Sequence, residues 1–88
     1  MNIVWKGQFK KDYKRAKKQG KSLADLRSVI ETLAARRPLL PKHRDHTLRG
    51  PWNEHRECHI APDWLLIYRF DGEDLILERT GSHSELFG

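Results

Sequence analysis

The spacing of hydrophobic and polar positions changes along the chain, and each change predicts an element. "NIVW", residues 2–5, is a short β-branched and aromatic run that predicts an opening strand ending near Lys6. From Gln8 to Gln19 the apolar positions Phe9, Tyr13 and Ala16 recur at i, i+4 and i+7, one narrow stripe on a helix. Its other faces carry Lys10, Lys11, Lys14, Arg15, Lys17 and Lys18, and Gly20 is placed to end it. Ser22 with Asp25 reads as a capping-box start, Asp standing for the usual Glu or Gln. Leu23, Leu26, Val29, Ile30 and Leu33 follow at helical spacing, and Pro38 predicts the end of this second helix after Arg36 and Arg37. Two helices with so short a connection pack as an antiparallel hairpin.

From Pro38 to His55 the stretch "PLLPKHRDHTLRGPWNEH" keeps neither period and predicts a long loop. Loops of this length in a compact domain are usually functional or disordered, and Leu39, Leu40, Leu48 and Trp52 argue for anchored order. "RECHI", "WLLIYRF" and "LILERTG" then read as three strands, with Asp71-Gly72 as the hairpin signal between the last two. "HSELFG" is a short tail with room for one helical turn. The order β-α-α-loop-β-β-β predicts an α+β domain, its helical hairpin on one face of a mainly antiparallel sheet. The opposite face is then expected to be free for binding.

Length and composition narrow this picture. Eighty-eight residues, 38% hydrophobic and 33% charged, predict one folded domain spanning 1–88, with a small core. No run approaches the roughly 20 apolar residues of a membrane span. The first residues have only a three-residue apolar stretch before the charges begin, so a secretory signal is not expected and a cytoplasmic location is. Cys58 is the single cysteine, so no internal disulfide and no paired-cysteine zinc arrangement can form. Charge is divided unevenly: residues 1–37 hold 11 Lys and Arg against 3 Asp and Glu, residues 38–88 hold 6 against 9. A cationic N-terminal half favours polyanions through counterion release and steering, and equally describes a solvated helix face.

The candidate chemistry lies in the histidines. His46, His55, His59 and His83 fall where a strand-and-loop reading puts them near one end or face of the sheet. Imidazole exchanges protons near neutral pH. With Asp63, Arg56 and Arg79 the set holds the parts of metal-free RNA cleavage: a base for the 2′-OH, an acid for the leaving 5′-oxygen, and cations for the phosphorus centre. Simpler readings stand beside it. His59 and Asp63 at i, i+4 share a face only on a helix, and Pro62 opposes one. A zinc site from Cys58, His59, Asp63 and His83 is disfavoured because adjacent residues of a strand point to opposite faces. His43 and His55 read as ordinary histidines, and Trp64 and Tyr68 as packing residues, Tyr68 being equally able to stack on a base. Spacing alone does not choose among these.

"DHTLRGPW" (45–52), "RECHIAPDWLLIYRF" (56–70) and "LERTGSHSELFG" (77–88) in series resemble the YafQ-type toxins of the RelE superfamily of ribosome-dependent mRNA interferases. The resemblance extends over the chain and is densest in residues 45–88. It implies a RelE-like, microbial-RNase-like fold, cleavage of mRNA in the A site of the 70S ribosome without a metal or other cofactor, and silencing by a cognate antitoxin. By the same resemblance His46, His59, Asp63 and His83 are the catalytic positions, one of His46 and His83 acting as base and the other as acid. Trp64 and Phe87 match aromatic positions beside them, and Arg56 and Arg79 stand in matching contexts for phosphate contact. Lys10, Lys14, Lys17 and Lys18 of the first helix are expected to grip ribosomal RNA. The rivals are a ParE-like gyrase poison of the same fold and a non-enzymatic nucleic-acid-binding module, neither of which needs the histidine set.

Overall fold

The computed structural model describes residues 2–88. Strand β1 (Asn2–Trp5) leads into helices α1 (Gly7–Lys18) and α2 (Leu23–Ala34). Strand β2 (His46–Thr47) lies between two short 3-10 turns, Pro41–His43 and Gly50–Trp52; β3 (Arg56–Ala61), β4 (Trp64–Asp71), β5 (Asp74–Gly81) and helix α3 (His83–Phe87) complete the chain. The sheet runs β1-β5-β4-β3-β2, with β1 parallel to β5 and all other neighbours antiparallel. The expected α+β order therefore holds, the helical turn allowed for in the tail forms as α3, and β2 is added inside the long loop.

Both helices of the hairpin end in the same way, on residues of different kinds. After α1, Gly20 takes a positive φ of 73°, and the Gly20 and Lys21 amides return to the Lys17 and Ala16 carbonyls. After α2, Arg36 takes φ 57°, and the Arg36 and Arg37 amides return to Leu33 and Thr32. This left-handed cap stops α2 at Ala34, earlier than Pro38 alone predicts. Arginine in that conformation costs about 1–2 kcal/mol. Arg36 is held there by its bond to the Gly72 carbonyl (2.9 Å) and by its stacking over Phe70 at 4.0 Å. Gly72 itself, φ 60°, opens the two-residue β4–β5 turn in the pattern of type II′.

Phe9 and Ala16 of α1 and Leu26, Val29, Ile30 and Leu33 of α2 pack on Cys58, Trp64, Leu66, Tyr68, Leu75 and Leu77 of the sheet. Trp64 to Tyr68 are all buried, so β4 is covered on both faces as a central strand is. The face away from the helices is therefore no bare platform: Leu65 and Ile67 on it are fully buried.

One contact decides how α1 sits. β1 pairs with β5 only as far as Leu77, so the next part of β5 has an unpaired edge. Asp12, fully buried, accepts from the Thr80 amide (3.1 Å), and Arg15 Nη2 donates to the Thr80 carbonyl (3.3 Å). Helix side chains thus replace the missing strand at an edge that would otherwise be open. Asp12 also accepts from Arg79 Nε (2.7 Å) and Nη2 (3.2 Å).

Candidate active site

The β3–β4 connection is a two-residue turn of Pro62 and Asp63, closed by the pairing of Ala61 with Trp64. An irregularity between His59 and Ala61 adds Ile60 to one strand, and bulges of this kind re-aim side chains. β5 ends beside this turn because Leu65 pairs with Gly81. Ser82 then caps α3 with a complete capping box: its Oγ accepts from the Glu85 amide and its amide donates to Glu85 Oε1 (2.8 Å). His83 is thereby set as the first residue of α3. Asp63 Oδ1 accepts from both the His83 amide (3.0 Å) and Nδ1 (2.8 Å), which leaves Nε2 of that ring free of Asp63.

The His59 ring centroid lies 5.8 Å from that of His83 and 6.5 Å from that of His46. On β2, His46 stands opposite Glu57 of β3, and its Nε2 is 3.0 Å from Glu57 Oε2. Three imidazoles therefore form a row with a carboxylate at each end, in the order Asp63, His83, His59, His46, Glu57. His59 and His83 also line a cavity of about 630 Å³ with Lys42, His43, Arg44, Ile60, Ala61 and Pro62.

Burial lowers the pKa of His59 below the ordinary histidine value; Glu57 opposes this, and positive charge at His83, Arg44 or His46 adds to it. Its neutral, proton-accepting form is thus favoured. The two bonds from His83, the amide first, hold Asp63 below the usual carboxylate range although it is exposed. An ionised Asp63 fixes the His83 ring with hydrogen on Nδ1. Burial pushes the Cys58 thiol up, so it stays protonated and inert in the core.

The expected site residues do not all converge. His46, His59, Asp63 and His83 do. His55 lies apart, as an ordinary histidine would, in contact with Glu78 (3.2 Å) and edge-on against Trp52, whereas His43 lines the cavity with His59 and His83 and donates from Nδ1 to the His59 carbonyl at 2.7 Å. Trp64 is buried and donates from Nε1 to Thr80 Oγ1 (2.9 Å), so it supports the turn from beneath. Tyr68 is fully buried with its hydroxyl on Asp45 (2.5 Å), which removes it from any stacking role. Arg56 pairs with the same Asp45 and Arg79 with Asp12, so both guanidiniums are held by carboxylates. Phe87 is 47% exposed on α3, next to the row. Lys10, Lys14, Lys17 and Lys18 are exposed on α1. Glu57, Lys42 and Arg44 join the site without having been singled out by the sequence. Nothing in the local pattern marked Glu57, which sits between Arg56 and Cys58 of β3, and the two cations needed the loop's path. Among the described residues no group of three or more His, Cys, Asp or Glu is arranged to hold a metal ion.

Comparison with known proteins follows the same lines. Residues 1–88 match the family described as "Bacterial toxin of type II toxin-antitoxin system, YafQ". The mRNA interferase toxin YafQ of Escherichia coli K12 is 40% identical over 88 residues, which is 99% of this chain and 96% of that protein. A copper-bound mutant toxin from Helicobacter pylori superposes with a TM-score of 0.95 at 44% identity, with 99% of each chain covered. YafQ in the E. coli DinJ-YafQ complex superposes at 0.92 with 40% identity, over 99% of this chain and 98% of that one. A match over the full length, in sequence and in fold, makes the chain a member of the YafQ family of type II toxin-antitoxin toxins.

Proposed function

We propose that this toxin is an endoribonuclease, an mRNA interferase that cuts mRNA bound in the A site of the 70S ribosome by acid-base chemistry of its own side chains. The observation that carries the reading is the row of His83, His59 and His46 bounded by Asp63 and Glu57. One of His46 and His83 deprotonates the 2′-OH and the other protonates the leaving 5′-oxygen. His59, kept neutral by its surroundings, and Asp63 orient the scissile nucleotide and the His83 ring. General acid-base transfer contributes about 10²- to 10⁴-fold. Arg44 and Lys42 at the cavity answer the need for phosphate-neutralising cations better than Arg56 and Arg79, whose charges are already paired. Phe87 supplies an exposed ring for a base to stack on.

The lysines of α1 fit ribosomal RNA, where phosphate density rewards cations regardless of sequence. A co-encoded antitoxin is the expected protein partner, in line with the DinJ-YafQ complex of the E. coli relative. No helix among the described residues is long and apolar enough to cross a membrane, which is compatible with work at cytoplasmic ribosomes. The test is a translation reaction stalled with defined A-site codons, to which wild type or His83→Ala is added. Cuts within the A-site codon leaving 5′-hydroxyl ends, lost in the variant, support the reading. Intact mRNA with damaged DNA in expressing cells points instead to a gyrase poison of the same fold.

A further inference from the structure

Glu57 has no part in the proton transfers just described, yet it is only 5% exposed and touches one of their histidines. We propose that Glu57 is a positioning residue for His46, clamping the ring and stabilising any proton that reaches its Nε2. Its bearing on rate rests on the nuclease reading; the contact itself does not.

Glutamate is rarely so buried unless paired. Here Oε2 meets His46 Nε2 at 3.0 Å, and Oε1 is buried without a hydrogen-bond partner among the described residues. A carboxylate left half-satisfied in the fold is poorly explained by stability, since burying charge is costly unless fully compensated. The other side of the ring explains its presence. His46 Nδ1 faces the Arg44 carbonyl at 2.6 Å, and a carbonyl only accepts, so Nδ1 carries hydrogen. The neutral ring would then turn the lone pair of Nε2 toward the lone pairs of Glu57. A proton between those two atoms converts the repulsion into a charge-assisted bond. The charged neighbours work in opposite senses: Asp45 precedes His46 in the chain and aids the cation, while Arg44 opposes it and the His59 ring, in its favoured neutral form, adds no charge. Glu57 is the group in direct contact with Nε2, and it stabilises the imidazolium whether His46 acts as acid or as base.

The test compares the full-length wild type with Glu57→Gln, which keeps the volume and removes the charge. Heteronuclear NMR of the histidine side chains is expected to find hydrogen on Nδ1 of wild-type His46 and an Nε2 signal set by contact with the Glu57 carboxylate. In E57Q the Nε2 signal is expected to move, because its charged neighbour is gone, while Nδ1 stays. Single-turnover cleavage of ribosome-bound mRNA should fall by about ten- to a hundred-fold, the scale known for carboxylate partners of metal-bound histidines. Ribosome binding and the thermal midpoint should not fall, a combination that a purely structural glutamate would not produce. Unchanged His46 signals, or cleavage at the wild-type rate, overturns the proposal. If E57Q does not fold, Glu57→Asp, too short to reach Nε2, decides on the same terms. A wild-type chain that cuts no RNA defeats the nuclease reading instead, and the NMR comparison still decides whether Glu57 holds His46.

Discussion

Replacing Asp12 by alanine should be among the most damaging single changes in this domain, although Asp12 lies in the lysine-rich helix and far along the chain from the histidines. Its carboxylate is fully buried and accepts from Arg79 Nε at 2.7 Å, Arg79 Nη2 at 3.2 Å and the Thr80 amide at 3.1 Å. Gln8 Nε2 and Arg15 Nη2 add contacts at 3.3 Å. Alanine would leave Arg79, whose side chain is 21% exposed, without its counter-ion and would leave the Thr80 amide unpaired at the sheet edge. Breaking one side of a buried ion pair costs about 3–5 kcal/mol. The unpaired amide falls partly within that figure, so about 4 kcal/mol is expected in total. A domain of 88 residues holds about 4–13 kcal/mol, so the variant sits near the edge of folding. Urea unfolding followed by circular dichroism measures the loss, and the thermal midpoint should fall by about 16–32 °C. Arg79→Ala in the Asp12→Ala background should cost little more, because the partner is already gone. A loss below about 1 kcal/mol, the level of an exposed ion pair, would refute the edge-capping argument and return Arg79 to the role of a free phosphate contact.

Three further outcomes are expected. Trp64→Phe removes the Nε1 bond to Thr80 and should cost about 1 kcal/mol in the same unfolding assay, with the hairpin turn retained; a neutral result would mean the bond contributes nothing. NMR titration should place the His59 midpoint below the ordinary value of about 6.5. Since the unfolded chain binds that proton more tightly, this residue's contribution to stability declines as pH drops below the ordinary value, and a raised midpoint would contradict the burial argument. Charge reversal at Lys14, Lys17 and Lys18 should weaken ribosome binding and flatten its dependence on salt while the His46, His59 and His83 ring signals stay in place; unchanged binding would remove α1 from the ribosome contact.

Local chemistry is what the chain shows directly. The stripe of Phe9, Tyr13 and Ala16, the Ser22 cap and the Asp71-Gly72 turn are contacts between residues a few positions apart, and periodicity reports such contacts faithfully. The catalytic candidates His46, His59, Asp63 and His83 were legible through their family resemblance, since spacing alone left His59 and Asp63 an unconvincing pair. The turn at Pro62 joins them to one site without a helix, through a carboxylate that binds His83 rather than His59. Four groups that fix or join the site were not legible: Asp12 and Glu57, which are buried, Arg44 at the cavity, and Asp45, which holds Arg56 and Tyr68. Each acts across the sheet or through the loop, on a partner chosen by strand register.

By itself, then, the sequence determined the order of elements, the cationic helix and the supply of acid-base groups, because propensity, pattern and composition are local or additive properties. Tertiary structure decided which charges are free. It tied Arg79 to Asp12 and Arg56 to Asp45, buried Tyr68, brought His43 to the cavity, and put Glu57 against His46. The physical reason is that burial and pairing depend on distances between residues remote in the chain, such as His46 and Glu57, 11 positions apart, which a loop and one strand pairing bring to 3.0 Å.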